Sequence, residues 1–437
     1  PGTHYVYRWC KGRSGRSETG RFETAPSLSS TRTIRFALSG DADAQPAKGQ
    51  HHPFWNDFGV YRRMAIEKND FNVNFGDTIY SDTEVGSTMD NGKFVPGAPT
   101  ALGVASKWRR YRLNLRQRNL RLLRRSTGVY NHWDDHEFVN DFSVPEMGSG
   151  LYRRSVRAFR DYQPVSFTSR DGLYRSFRWG RNLELFFLDE RSFRDAKASS
   201  GGTCDNPQSG EPDLAPTLPQ SKRQTFAVLV PALGQPVSQA CLDRIRDPHR
   251  TFLGKRQYSE FTHAVAHSHA TFKIVVNETP IQQFYALPYD RWEGYEGERR
   301  RLLRFLRDHV RNVLFLTTDT HGNLVNTARV KTFAEEGGPE ESGIFEEVVG
   351  PVATKTFKKE INDATGNQSS GDAIVAAFFK PPPPNGVGMQ CAAIDVFSYS
   401  EVRVTSKSVT LTPKDIRGRP VQEESGAPCG PFTIVKK

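Results

Sequence analysis

Phe71-Asn72-Val73-Asn74-Phe75-Gly76-Asp77-Thr78-Ile79-Tyr80 is the stretch from which the fold can be read. Phe71, Val73 and Phe75 alternate with asparagines, the two-residue period of a strand with one buried face. Gly76 breaks the strand and Asp77 follows at once. A carboxylate on a glycine turn at the carboxyl end of a strand stands where open α/β sheets place their ligands. Tyr80 is close enough for a tight turn to aim it at the same point. A single Gly-Asp pair is also an ordinary turn signal, so its weight comes from recurrence.

Working outward, residues 33–38 form a strand ending in Ser39-Gly40-Asp41-Ala42-Asp43, two carboxylates after a glycine. Residues 58–68 fit a helix crossing between these two strands, a βαβ unit. Residues 105–125 hold apolar residues at helical spacing among Arg109, Arg112, Arg116 and further arginines, and predict one amphipathic helix. Its arginines form either a solvated face or a grip on a polyanion. Residues 129–133 are a strand closing in Asp134-Asp135-His136-Glu137. Four such side chains behind a hydrophobic strand are costly to bury without a cation or hydrogen bonds.

The strand 183–188 ends in Asp189-Glu190-Arg191, the strand 272–276 in Asn277-Glu278, and the strand 313–316 in Asp319-Thr320-His321. Six strands thus hand polar groups to the same end of a sheet. The set is rich in oxygen and poor in nitrogen and sulfur, which disfavours structural zinc and favours Fe3+, Ca2+, Mn2+ or Mg2+. Clustered carboxylates repel one another unless cations lie between them. Two metals about 3.5–4 Å apart with one bridging carboxylate meet that need and suit in-line phosphoryl displacement.

The remainder bounds the setting. The 437 residues, 36% hydrophobic, suffice for one large core or two, and the formal charge of +11 suits an anionic substrate, polymer or phospholipid surface. No apolar run reaches the ~18 residues of a membrane span. The start at Pro1 is expected to mark an excerpt or a processed form. Cys204 and Cys241 bracket a Gly/Pro/Ser-rich loop, and Cys391 and Cys429 bracket the C-terminal strands. Two disulfides with Cys10 left over would suit a secreted enzyme, and five free thiols is the alternative. Residues 195–223 read as a mobile loop or lid, and 86–104 as an insertion. After about residue 335, short strands at 345–349, 392–399, 402–405 and 409–412 read as antiparallel β.

The order Asp-x-Asp, Gly-Asp-x-x-Tyr, Asp-His-Glu, strand-end Asn and Asp-x-His resembles the calcineurin-type metallophosphoesterase superfamily. Gly76-Asp77-Thr78-Ile79-Tyr80, Trp133-Asp134-Asp135-His136-Glu137 with Asn140-Asp141, and Asp319-Thr320-His321 resemble, more narrowly, the PhoD-like alkaline phosphatase/phosphodiesterase family. Asp189 to Arg194 and Leu253-Gly254-x-x-Gln257 agree with it. The resemblance implies an α/β fold, a two-sheet sandwich between helices. It makes residues 31–335 the catalytic core, 336–437 a β-rich part completing the second sheet, and 1–30 the end of a fibronectin-III-like β module.

It further implies a secreted or cell-wall-associated monomer. The enzyme would hydrolyse phosphate mono- or diesters with metal-activated water, using Fe3+ and Ca2+, or Mn2+, Zn2+ or Mg2+. Carried over by position, Asp77 bridges the metals, and Tyr80 binds iron as phenolate together with His321. Asp135, Asn277 and Asp319 hold the second site, with Asp134 and Glu137 behind them. His136 gives a proton to the leaving oxygen and Arg191 holds the phosphate. The best-known members have a cysteine at the end of the first strand; here Asp41, or else Asp43, would take its place. The alternatives are a phospholipase D-like diesterase, with 195–223 and 86–104 shaping that choice, and a polyanion- or wall-binding protein on an inactive phosphatase scaffold.

Overall fold

Strand Phe71–Phe75 lies between strands Ile34–Ser39 and Gly128–His132 and runs parallel to both. The computed structural model describes residues 1–12, 15–90, 93–95 and 97–437; part of the 86–104 insertion therefore lies outside the described residues. On the far side of Ile34–Ser39 the sheet continues antiparallel through Ser398–Val404, Ser408–Asp415 and Phe432–Val435, six strands in all.

Strands Leu183–Phe187, Phe272–Asn277, Val313–Thr317 and Glu340–Val348 run parallel in a second, seven-stranded sheet. Arg175–Trp179 flanks it on one edge, and Asn323–Lys331 and Cys391–Ala393 on the other. The six polar strand ends therefore belong to two sheets, three to each, not to one. The sheets pack face to face: Phe36, Leu38, Val73 and Phe75 of the first meet Leu185, Phe187, Ile274 and Leu316 of the second. The alternate residues of the same strands point outward to helices. Phe186, Val275 and Phe315 pack under Phe261, Leu302 and Leu306, while Ala37 packs under Val60, Met64 and Leu123. Burial on both faces explains apolar runs such as Ile274-Val275-Val276 and Val313-Leu314-Phe315-Leu316 in the second sheet. The carboxyl ends of both parallel sets lie at one edge of the sandwich, where Asp41 and Asp77 of the first meet His321 of the second.

Further sequence expectations are corrected. The arginine-rich helix is two helices, Val104–Arg116 and Arg118–Ser126, broken at Gln117, whose ψ of 127° is extended. The strand expected at 392–399 is split, Cys391–Ala393 entering one sheet and Ser398–Val404 the other. Between the late strands lie helices Phe357–Thr365 and Ser370–Ile374, where only β-structure was expected.

The loop after residue 195 is folded. It contains helix Gln220–Phe226 and is fastened by a disulfide between Cys204 and Cys241, Cα to Cα 4.8 Å. Cys391 and Cys429 form the second disulfide, and Cys10 is free and exposed. Among the described residues no helix is long and apolar enough to cross a membrane.

Candidate metal centre

The loops after Ile34–Ser39, Phe71–Phe75 and Gly128–His132 are tied together before any side chain is considered. Asp41 N donates to Gly76 O at 3.3 Å, Ala42 N to Asp77 O at 3.0 Å, and Gly76 N to His132 O at 3.2 Å. A Cβ at position 40 would lie 1.7 Å from the Phe75 carbonyl oxygen, so only glycine fits there. Asp41, Asp77, Asp319 and His321 all have positive φ, from 43° to 67°. Such strained residues cluster where a structure over-determines them, characteristically at functional sites.

Ligand-type atoms of Asp41, Asp77 and His321 lie within 4.8 Å of one another. Those of Asp77, Asp135 and His136 form a second cluster, and those of Asp135, Asp141 and Asp290 a third. Asp77 is shared by the first two, and Asp135 by the last two. The Tyr80 hydroxyl lies 3.1 Å from His321 Nε2, and His321 Nδ1 is 2.6 Å from a Glu360 carboxylate oxygen. His136 Nδ1 is 2.6 Å from Asp82 Oδ1. In both imidazoles a carboxylate holds Nδ1 and leaves Nε2 for the site, the arrangement that orients histidine toward a metal or a reacting group.

Burial pushes the Asp41 carboxyl up to about 7, although His321 pulls the other way. Asp77 and Asp319 are raised well above the usual carboxylate range, chiefly by burial and then by neighbouring carboxylates. Burial and its acidic neighbours also raise the Tyr80 phenol. Both carboxylate oxygens of Asp41, and Oδ2 of Asp134, are buried and without hydrogen-bond partners. Unpartnered buried carboxylate oxygens facing other carboxylates are what a hard cation would satisfy. The donor set, carboxylates with one imidazole and one phenol, fits such cations.

The structure sets some expected site residues behind this cluster, as Glu137 was expected to be, and others outside it. Asp43 accepts hydrogen bonds from the Thr83 hydroxyl and Gln45 N, and so braces its own loop rather than joining the ligands. Glu137 accepts from Thr78 N and from Asp134 N at 2.9 Å, stapling the Asp77 turn to the Asp134 turn. Asn277 is wholly buried, its amide nitrogen donating to Thr279 O and its oxygen accepting from Trp292 Nε1 at 3.3 Å.

Arg191 is also wholly buried, so its guanidinium is not presented to a phosphate. It pairs with Asp134 and, at 2.5 Å, with Asp290, and lies 3.7 Å from Asp319. Sequence reasoning missed Asp82, Asp290, Glu360 and Asn114. Asn114 donates to Ala42 O and Thr78 O at 2.7 and 2.8 Å, joining two ligand loops from within the basic helix.

The centre opens into a cavity of about 550 Å³. Asp77, Tyr80, Asp135, His136, Asp319 and His321 line one part, and Arg291 is the one Arg or Lys lining it among the described residues.

The sequence profile of the PhoD-like phosphatases matches residues 45–411, beginning just beyond Asp41 and Asp43. Alkaline phosphatase D of Bacillus subtilis (strain 168) is 24% identical over 358 residues, covering 76% of this chain and 53% of that protein. The chain thus spans about half the length of the curated relative it matches. The solved structure of PhoD covers the whole chain at 20% identity with a TM-score of 0.69, and 74% of PhoD is matched. Purple acid phosphatase PPD1 from yellow lupin (Lupinus luteus) seeds covers it at 13% identity with a TM-score of 0.54, and 60% of that chain is matched. Both structures share the metallophosphoesterase fold of two packed mixed sheets. With the profile running across most of its length, the chain belongs to the PhoD-like phosphatase family.

Proposed function

We propose that the chain is a metal-dependent phosphoesterase, acting in a secreted or cell-wall-associated setting. The observation that carries this reading is Asp77, one carboxylate common to two ligand clusters beside the unpartnered oxygens of Asp41. Asp41, Asp77, Tyr80 and His321 would hold one cation, and Asp77, Asp135 and Asp319 a second, with Fe3+ and Ca2+ as the proposed pair. Such cations supply charge neutralisation at the phosphoryl oxygens and activation of water.

The protein's own groups do the rest. Asp82 fixes His136 through Nδ1. Burial opposes charge on that imidazole, while Asp82, with Asp77 and Asp135, raises its pKa and so favours a proton on it. That proton is the one given to the leaving oxygen. Arg191 positions Asp134 and Asp290, and Arg291, which lines the cavity, takes the place expected of Arg191 as the arginine that meets substrate.

The test is hydrolysis of p-nitrophenyl phosphate and bis(p-nitrophenyl) phosphate before and after chelation. At least one ester is turned over, and turnover disappears on chelation and returns with metal. Metal-replete protein inert toward both, or turnover surviving complete metal removal, contradicts the proposal.

Tyr80 separates an iron centre from a colourless one. Phenol titrates near pH ~10 in water, so only a strongly acidic cation keeps it ionised at neutral pH. A phenolate on Fe3+ absorbs visible light, and the purified protein should be coloured. Tyr80→Phe preserves the ring and should bleach the colour and lower iron content without unfolding the chain. An iron-containing protein with the same visible spectrum in the variant would remove Tyr80 from the ligand set.

A further inference from the structure

The cavity that opens from the candidate metal centre is polar at that centre and apolar almost everywhere else. One wall comes from the disulfide-fastened loop, through Leu214, Leu218, Phe226 and Leu233; the facing wall comes from Phe378 and Phe379. These side chains and Phe284 belong to one apolar cluster. The two walls meet where the Phe226 and Phe378 rings pack edge to face, 5.6 Å between centres, and the loop wall is braced from within. Arg223 is buried and joined to Asp213 by two hydrogen bonds of 2.7 and 2.9 Å, and it also donates to Ala215 O and Gln235 O, which fixes the loop from within. The apolar surface continues outward at a rim where Val228, Leu229 and Leu287 are 86%, 43% and 58% exposed. A phosphate with a small polar alcohol makes no use of such walls. Pockets of this size and character bury most of a ligand's apolar surface and fix it through few polar groups.

We propose that this site selects phosphate esters that carry a linear apolar chain, the phosphate at the carboxylate and imidazole end and the chain along the walls. The proposal rests on the phosphoesterase reading for the chemistry, and on the cavity alone for the chain. Arg291 stands at the junction: it lines the cavity, and its guanidinium lies 5.2 Å from the Phe284 ring centre. It can meet an anionic oxygen while its stem lies along the apolar surface.

The experiment uses n-alkyl phosphates and n-alkyl p-nitrophenyl phosphates from methyl to octyl, kept as monomers, and n-alkylphosphonates of the same lengths as non-hydrolysable ligands. Each methylene seated on the walls should raise kcat/KM about fourfold until the cavity is full. Phosphonate affinity, measured calorimetrically, should rise in step. Leu229→Asp and Ile361→Asn alter partly exposed lining residues, so the fold should survive. Each should reduce the octyl-to-methyl ratio by about tenfold, the loss of one to two seated methylenes.

A ratio that stays flat with chain length in both turnover and binding overturns the proposal. So does chain-length dependence unchanged in both variants. Acceleration seen only when the esters are presented in vesicles would place recognition on the exposed rim and overturn the chamber as the binding site. Graded phosphonate binding without hydrolysis of any ester would contradict the phosphoesterase reading while supporting the apolar-chain ligand.

Discussion

Asp77→Asn should lower phosphate-ester turnover by about a thousandfold or more, the equivalent of about 4 kcal/mol of transition-state stabilisation. The substitution is chosen because it disturbs little else. Asp77 sits at φ 43°, and asparagine is one of the few residues that accept the left-handed region. Its amide oxygen can still accept from His136 N, which now donates to Asp77 Oδ1 at 3.1 Å. What the amide cannot do is supply negative charge to both clusters that share this position. Steady-state kinetics with circular dichroism reads the outcome. Native spectra with full turnover would show that Asp77 is not the shared carboxylate.

Arg191→Ala should act first on stability. Removing one partner of a buried ion pair typically costs about 3–5 kcal/mol, because the remaining charge stays buried and uncompensated. Here two carboxylates, Asp134 and Asp290, lose that partner, and Arg194 is left to pair with Asp290 alone. Burial already pushes Asp134 up to about 6 with Arg191 opposing the rise, so without the guanidinium its carboxyl moves further toward the neutral form. The thermal midpoint should fall by several degrees, and metal retention should weaken because both acids flank the ligands. Arg191→Lys, which keeps the charge and loses the fork, should recover part of the midpoint. An unchanged midpoint in Arg191→Ala would show that the buried pairs contribute nothing.

Much of this arrangement was legible in the sequence because strand period and strand-end chemistry are local signals. Phe71, Val73 and Phe75 reveal a buried face, and the residues after Gly76 reveal a site. Which strands pair is not local. Period-two patterning specifies which face is buried and leaves open which strand lies alongside. That is why strand patterning alone put six strand ends on one sheet, whereas the family resemblance implied the two-sheet sandwich that the structure has.

Asp41 and Asp43 look equivalent in Asp-x-Asp; they are told apart by φ 60° at Asp41 and by the Thr83 hydroxyl bonded to Asp43, forty residues away. Arg191 follows an acidic strand end, where the resemblance implies a phosphate-binding arginine, and only folding reveals Asp290 across from it. Helix Phe357–Thr365 did carry signals, with Thr356 before it, Gly366 in the left-handed conformation after it, and Phe357 and Ile361 four residues apart. Nearby glycines, serines and the proline run from 381 to 384 masked them. Glu360, the partner of His321, was hidden with that helix.

The central claim is a centre of at least two cations joined through Asp77. Elemental analysis of the wild-type protein and Asp77→Asn, each purified without chelator and matched by circular dichroism, tests it most directly. The account predicts two or more metal equivalents per wild-type chain, and less than one in the folded variant. Equal metal content in the two proteins, or a fully active wild type containing no metal, would contradict it.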